Sequence, residues 1–323
     1  MGFLSFLSQS HKTANIIFTD HCIRFLELKS PSPLIVSSFD ERSLPEGVIR
    51  GGKIIDRETL LFILEECIED WKIRRRPVRF VVPDPFVVVR KISIPSDIRE
   101  DELEGYLFLE IGSSIHLPFE DPVFDYSPLD TRGEKREVLL VASQEEIVES
   151  YKGLLEDAKL KPVAADIAPL ALYRTVLNEG KVSVNQHTML LHMDELLLTV
   201  SIFHQHEPIF TRPIVLEAEM EDRATQGGYE VNMLQDTLKE IEKVMNFYRY
   251  SLNKGEQSVE KVVVSGGHPR VQQLKKELQE RVAIPVENLQ MNNVTTLQDE
   301  KVPSGYIIAL GLALKEVQLS ETY

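Results

Sequence analysis

Two stretches of this chain open in the same way, and that repetition constrains the fold more than any other feature. Near residue 15, the β-rich runs Asn15–Thr19 and Ile23–Leu28 flank the polar pair Asp20-His21, a hairpin signature. Near residue 189, Thr188–His192 and Leu196–Phe203 repeat the arrangement, and a further turn at His204–Glu207 leads into Pro208–Pro213. The two halves share an order of elements, not a sequence. After each opening, strands alternate with amphipathic helices, which predicts α/β layers in two lobes.

The intervening elements follow from local signals. Asp56 opens a helix running to about Lys72, with Leu60, Leu64, Cys67, Ile68 and Trp71 on one face. Val78–Val82 reads as a buried strand ended by Pro83-Asp84-Pro85. From Phe86 a second unit begins: a strand to Ile94, a helix carrying Leu103, Tyr106, Leu107 and Glu110, then strands at Ile115–Phe119, Val123–Leu129 and Glu137–Ala142. Ser143 and Glu146 form a capping box that predicts a helix to Ala158. Val163–Asp166 and Pro169–Leu177 close this half as strand and helix. In the second half, helices are expected at Glu230–Asn253, His268–Val282 and Gly305–Val317, with strands at Lys261–Val264 and Ile284–Val286.

At 323 residues the chain has length for two domains. Its formal net charge of −15 opposes non-specific binding to nucleic acid or to anionic lipid. Acidic runs such as Glu65–Asp70 and Asp97–Glu102 fall in helical patterns and read as solvated faces. Cys22 and Cys67 are too few for a disulfide framework, which fits a reducing compartment and a cytoplasmic location. No segment approaches the roughly 18 apolar residues of a membrane span. The opening Met1–Ser8 is apolar but too short and uncharged for a signal peptide. It misses the myristoylation pattern, because Phe6 stands where Ser or Thr is required. It reads as a terminal segment or a docking peptide.

Catalytic motifs are missing: there is no G-x-S-x-G, H-E-x-x-H, phosphate-loop or G-x-G-x-x-G pattern. His204 and His206 alternate but lack a third ligand, so a hairpin tip is expected there, not a metal. Arg74-Arg75-Arg76 is the one basic cluster and reads as a solvated loop or a local anion contact. Ser265-Gly266-Gly267 ends a strand and precedes a helix, a turn that lets backbone approach a ligand closely.

Five ordered blocks give these segments a family likeness. They are Ile94-Pro95 leading to Leu117-Pro118-Phe119 and Asp125-Tyr126; Val138–Ala142 through Tyr151 to Leu160–Val163 and Asp166; Pro208–Arg212; Val264–Gly267 with Ile284-Pro285-Val286; and Tyr306 with Ala309–Ala313. From about Ala14 to Lys315 the chain resembles the PilM family of type IV pilus assembly proteins, of the actin-like superfamily related to the cell-division protein FtsA. The resemblance implies an actin-like (ribonuclease H-like) two-lobed α/β fold with a small inserted α+β subdomain in the first lobe. Residues 1–85 with 162–184 would form the first lobe and 86–161 the insertion. Residues 185–323 would form the second lobe, with a short helical insertion near 222–257.

The same resemblance implies a partner, the cytoplasmic N-terminal peptide of a PilN-like bitopic membrane protein, docked between the inserted subdomain and the first-lobe core. Contact with other pilus-assembly components, and hence indirect membrane association at the inner face of the cytoplasmic membrane, follows. The family usually binds ATP with Mg, and here the sequence departs from it. Where members read D-I-G-S, this chain has Ile17-Phe18-Thr19-Asp20; where they read D-x-G, it has His192-Met193-Asp194. A Cβ at a glycine position blocks close backbone approach, and the lost carboxylates remove the metal anchors. Only Ser265, Gly266 and Gly267, the adenosine-side turn, keep the pattern. The expectation is a non-catalytic adaptor with degenerate nucleotide loops and no cofactor; the alternative is an actin-like ATPase that uses nucleotide to switch partner affinity or polymerise.

Overall fold

The structure, a computed structural model, describes residues 13–132, 134–216 and 229–315. The opening apolar segment and part of the expected helical insertion near 222–257 lie outside them. The first lobe begins with strands β1 (Ala14–Phe18), β2 (Cys22–Pro31) and β3 (Leu34–Ser43), an antiparallel meander. A small hairpin of β4 (Ile49–Arg50) and β5 (Lys53–Ile54) precedes helix α1 (Arg57–Trp71). The Asp56 carboxylate caps α1 by accepting from the Thr59 amide at 3.0 Å, and Lys72 ends it in the left-handed region. Strand β6 (Pro77–Val82) then runs parallel to β1.

The chain next builds a three-stranded antiparallel sheet from β7 (Val87–Pro95), β8 (Pro122–Arg132) and β9 (Lys135–Gln144), in the order β7-β9-β8. Helix α2 (Leu103–Glu110) covers it, and Ile94, Leu103, Leu107, Val138 and Leu140 form a separate core. The expected strand at Ile115–Phe119 does not form; Ile115 makes a single bridge to Ile111. Helix α3 (Glu145–Asp157) starts without the expected capping box, because Ser143 is still inside β9, paired with Val87 and Val123. Tyr151, Leu154 and Leu155 of α3 pack with Leu60, Leu64 and Phe80 on one face of the first sheet.

Strand β10 (Lys161–Ile167) completes the parallel side of that sheet, and α4 (Ala168–Asn178) crosses to the second lobe. There β11 (Thr188–Met193), β12 (Leu197–His204) and β13 (Glu207–Val215) form a second meander. Helix α5 (Tyr229–Asn246) continues as a π-helical turn over Phe247–Leu252. It is followed by β14 (Lys261–Ser265), α6 (Val271–Arg281), β15 (Val286–Asn288), β16 (Thr295–Thr296) and α7 (Ile307–Ala313).

The sheet orders are β10-β6-β1-β2-β3-β16 and β13-β12-β11-β14-β15. Apart from β16, each is a three-stranded meander with two parallel strands added beside its first strand. The repetition read from the two hairpins is therefore a repetition of whole sheets. Helices α4 and α7 lie between them: Ala171, Leu172 and Val176 of α4 share one core with Ile307, Leu310 and Leu314, with Ile17 and Val81 of the first sheet, and with Leu190, Phe203 and Val263 of the second. β16 pairs with β3, so the last stretch of the chain returns to the first sheet. On its outer face the second sheet buries Leu234, Leu238 and Ile241 of α5 with Leu274 and Leu278 of α6.

Candidate functional site: the cleft between the lobes

A cavity of about 210 Å³ lies where the β1–β2 hairpin faces the β11–β12 hairpin. Both turns are short, and each is tied down by its own groups. At the first, the Thr19 amide donates to the Cys22 carbonyl at 2.9 Å, and the Thr19 hydroxyl accepts from the amides of His21 and Cys22 at 3.2 and 3.0 Å. Those N–H groups are consumed inside the turn. Asp20 accepts from the amides of Gly51 and Gly52 in the β4–β5 hairpin.

Beside this turn stands Arg24. It faces Ile17 across the β1–β2 ladder, so a guanidinium flanks an apolar side chain where the two strands meet the cleft. Its Nε donates to Glu41 at 2.5 Å, and its Nη1 reaches across the cleft to Asp194 at 3.4 Å. A second crossing pair is the Thr199 hydroxyl, which donates to Asp84 Oδ2. His21 Nε2 also approaches Glu195 to 3.3 Å, without hydrogen-bond geometry. The lobes are thus fastened to one another by side chains of the chain itself. Four acidic residues, Asp20, Asp84, Asp194 and Glu195, line the cavity against Arg24, so its lining is net negative. Among the described residues, no three His, Cys, Asp or Glu side chains gather so as to hold a metal ion.

The Ser265–Gly267 turn serves the second hairpin. The Ser265 hydroxyl donates to the Leu191 carbonyl at 3.1 Å and lies 3.1 Å from His192 Nδ1. Burial pushes the His192 pKa down and keeps the ring neutral. Gly266 sits at φ +123°, where an added Cβ would fall 2.0 Å from the Met193 carbonyl oxygen. Gly267 is less confined: its Cβ would meet Asp194 Oδ1 at 3.5 Å. The helix expected to start at His268 starts at Val271, because His268 Nδ1 accepts from the Arg270 amide and caps the turn. None of the three turn residues lines the cavity.

The sequence of residues 16–220 matches the family model described as type IV pilus assembly protein PilM. The chain belongs to that family. A solved PilM–PilN type IV pilus biogenesis complex covers 94% of this chain and 98% of its own, with a TM-score of 0.79 at 19% identity. The ethanolamine utilization protein EutJ from Carboxydothermus hydrogenoformans covers 94% of this chain and 89% of its own, with a TM-score of 0.51 at 10% identity. No curated protein sequence matches the chain. The fold is actin-like, as the resemblance to the PilM family implied.

Sequence reasoning passed over the residues that fasten this PilM-family cleft. Arg24 interrupts the apolar face of β2 that continues as Leu26 and Leu28, and a charge at such a position was the available signal. Asp84 was read only as part of a strand-ending Pro-Asp-Pro. Burial pushes its carboxyl up to about 6, against the Thr199 hydrogen bond and with the Asp194 charge adding to the rise. The folded state therefore binds this proton more tightly than the unfolded chain, whose aspartate pKa is about 3.9. The cost is fully present above pH 6 and is relieved as pH falls toward 4. Asp84→Asn is expected to raise stability at pH 7.5 by up to about 3 kcal/mol, with the gain shrinking to near zero around pH 4. Urea unfolding of both forms across that range checks it, and no gain at pH 7.5 refutes it.

The other singled-out residues have structural partners. Arg76 makes a two-pronged contact with Glu27 at 2.5 and 3.1 Å, and Arg74 pairs with Glu69 at 3.2 Å. His204 and His206 flank the β12–β13 turn but diverge. His204 stacks on His187 with ring centroids 3.9 Å apart, and His206 Nδ1 lies 2.8 Å from the Tyr173 hydroxyl. No described helix is long and apolar enough to cross a membrane.

Proposed function

We propose that this PilM-family protein is a non-catalytic adaptor of type IV pilus assembly. It would bind the cytoplasmic N-terminal peptide of a PilN-like membrane protein and use no nucleotide. The observation that carries this reading is the placement of Arg24 against Ile17, with its charge spent on Glu41 and Asp194 across the cleft. A triphosphate entering here would find turn amides already satisfied by Thr19, no cluster of metal ligands among the described residues, and an acidic lining. At an effective dielectric near 20, each like-charge approach to about 4 Å costs about 4 kcal/mol. Closure, which a bound nucleotide could supply, is supplied by the cross-cleft pairs.

The solved PilM–PilN complex supports the choice of partner. The peptide's expected seat is the junction of the inserted sheet with the first lobe, where the Tyr151 hydroxyl donates to the Gly52 carbonyl at 2.9 Å. Through such a partner the protein would sit at the inner face of the cytoplasmic membrane and contact further assembly components. Calorimetric titration with Mg-ATP is expected to show no saturable binding, and titration with a PilN-type N-terminal peptide to show micromolar affinity. Micromolar ATP binding sinks the first half of the reading, and indifference to the peptide sinks the second.

A further inference from the structure

Exposed large apolar side chains gather at two places remote from the cleft. On α2, Phe108 and Leu109 are 70% and 75% exposed; on the π-helical turn, Phe247, Tyr250 and Leu252 are exposed together. Single exposed apolar residues are ordinary, but grouped ones mark interaction surfaces. Leu103 and Leu107 of α2 cover the outer face of the inserted sheet, so Phe108 and Leu109 are left over from that packing. Beside them the helix is bare: a Cβ on Gly105 would meet nothing within 4 Å. Glycine is the poorest helix former after proline, and no described residue comes close enough to Gly105 to require it. A second molecule lying against the helix backbone would require it.

The two patches carry opposite charge. From Glu100 to Glu110 the chain has five acidic residues and no basic one. Flanking arginines engage Glu100, Asp101 and Glu102, which leaves Glu104 without an ion pair among the described residues. Glu104 stands four residues before Phe108, on the same helix face. From Phe247 to Gly255 the chain instead has Arg249 and Lys254 and no acid. Arg249 lies over the Tyr250 ring, 5.2 Å from its centroid, and makes no ion pair among the described residues. Phe247 is braced by Phe210, with ring centroids 5.7 Å apart. π-Helical turns are rare and concentrate at functional sites. Two α2 faces would repel one another, as would two π-turns, so charge favours a contact between unlike patches.

We propose that the π-helical turn of one molecule docks on α2 of a second copy, with Phe247, Tyr250 and Leu252 against Gly105, Phe108 and Leu109. Arg249 then faces Glu104 of the other molecule. Because the two surfaces differ, each pair keeps one of each free, and the contact extends head to tail into a ring or a linear array. Peptide capture is a separate matter, since its expected seat is on the other side of the inserted sheet: Leu139 packs with the first-lobe core and Leu140 with α2.

Sedimentation velocity of the full chain, from micromolar to millimolar concentration, should show reversible assembly. Gly105→Gln and Tyr250→Ser should each weaken it at least about tenfold. The thermal midpoint of Gly105→Gln should equal or exceed the parent's, so its loss of assembly is not unfolding. Mixed together, these two variants should form a one-to-one pair and nothing larger, because each still offers the surface that the other lacks. Arg249→Glu and Glu104→Arg should each weaken assembly at least about tenfold, and the double variant should recover it. A chain that stays monomeric at millimolar concentration overturns the proposal, even if α2 takes up a foreign basic peptide instead. Undiminished assembly of Gly105→Gln would mean contact between like π-turns, and undiminished assembly of Tyr250→Ser contact between like α2 faces; either result overturns it as well.

Discussion

Gly311→Ala is expected to destabilise the protein by at least about 3 kcal/mol, although helix propensity alone favours alanine by about 1 kcal/mol. The close approach decides the sign. Helix α7 crosses α4 so tightly that a Cβ on Gly311 would lie 1.7 Å from the Ala171 carbonyl oxygen and 2.8 Å from Thr175 Oγ1. Backbone cannot yield as a side chain tip can, so the helices must move apart. Moving them loosens the core in which Leu310 and Leu312 meet Leu172 and Val176, and disturbs the Thr175 hydroxyl's bond to the Ile307 carbonyl at 3.0 Å. Urea unfolding followed by circular dichroism measures the loss. A variant as stable as the parent refutes so close a crossing of α7 and α4.

The second large effect separates two neighbouring glycines. Gly266→Ala places a methyl 2.0 Å from the Met193 carbonyl oxygen, at a φ of +123° that side chains rarely adopt. Strain and overlap together should cost about 3–4 kcal/mol. Gly267→Ala meets its nearest neighbours at 3.5 and 3.6 Å, ordinary contact distances, and should change stability by less than about 1 kcal/mol. Neither substitution should alter ATP affinity if the cleft holds no nucleotide. Thermal midpoints of the two variants, with Mg-ATP titration of the folded one, read both points. A tolerated Gly266→Ala would detach this turn from the second hairpin.

That contrast shows where sequence reasoning stops. Gly266 and Gly267 look alike in the sequence, and the partner that tells them apart, Met193, is over seventy residues away. Elements set by short-range signals were legible: the Asp56 cap of α1, the Leu60/Leu64/Ile68 stripe, the meanders on either side of Asp20-His21 and Gln205-His206. Ser143 illustrates a local signal overruled, because pairing with Val87 and Val123 keeps it in β9 in place of capping α3. The two-residue strand Thr295–Thr296 has no periodicity to detect and exists only because β3 offers an edge. The cleft was half legible. Ile17 and Thr19 of the first turn could be read from the sequence, but the pairs that cross the cleft beside them could not. Arg24 and Asp194 are 170 residues apart, and no spacing rule joins them.

The return of β16 and α7 to the first sheet has a consequence for how the molecule is made. During translation the meander, α1 and the inserted sheet emerge early, yet the face of the first sheet that α7 covers stays bare until residues near 313 leave the ribosome. At about 5–20 residues per second, that is a wait on the order of ten seconds after α4 has emerged. Over that interval the nascent chain carries an open apolar face bearing Leu26, Leu28 and Val36, and a strand edge at β3. A chaperone, or an early partner holding the nascent first lobe, would act in that window, and a chain stalled before α7 should be found in aggregates or bound to such a factor.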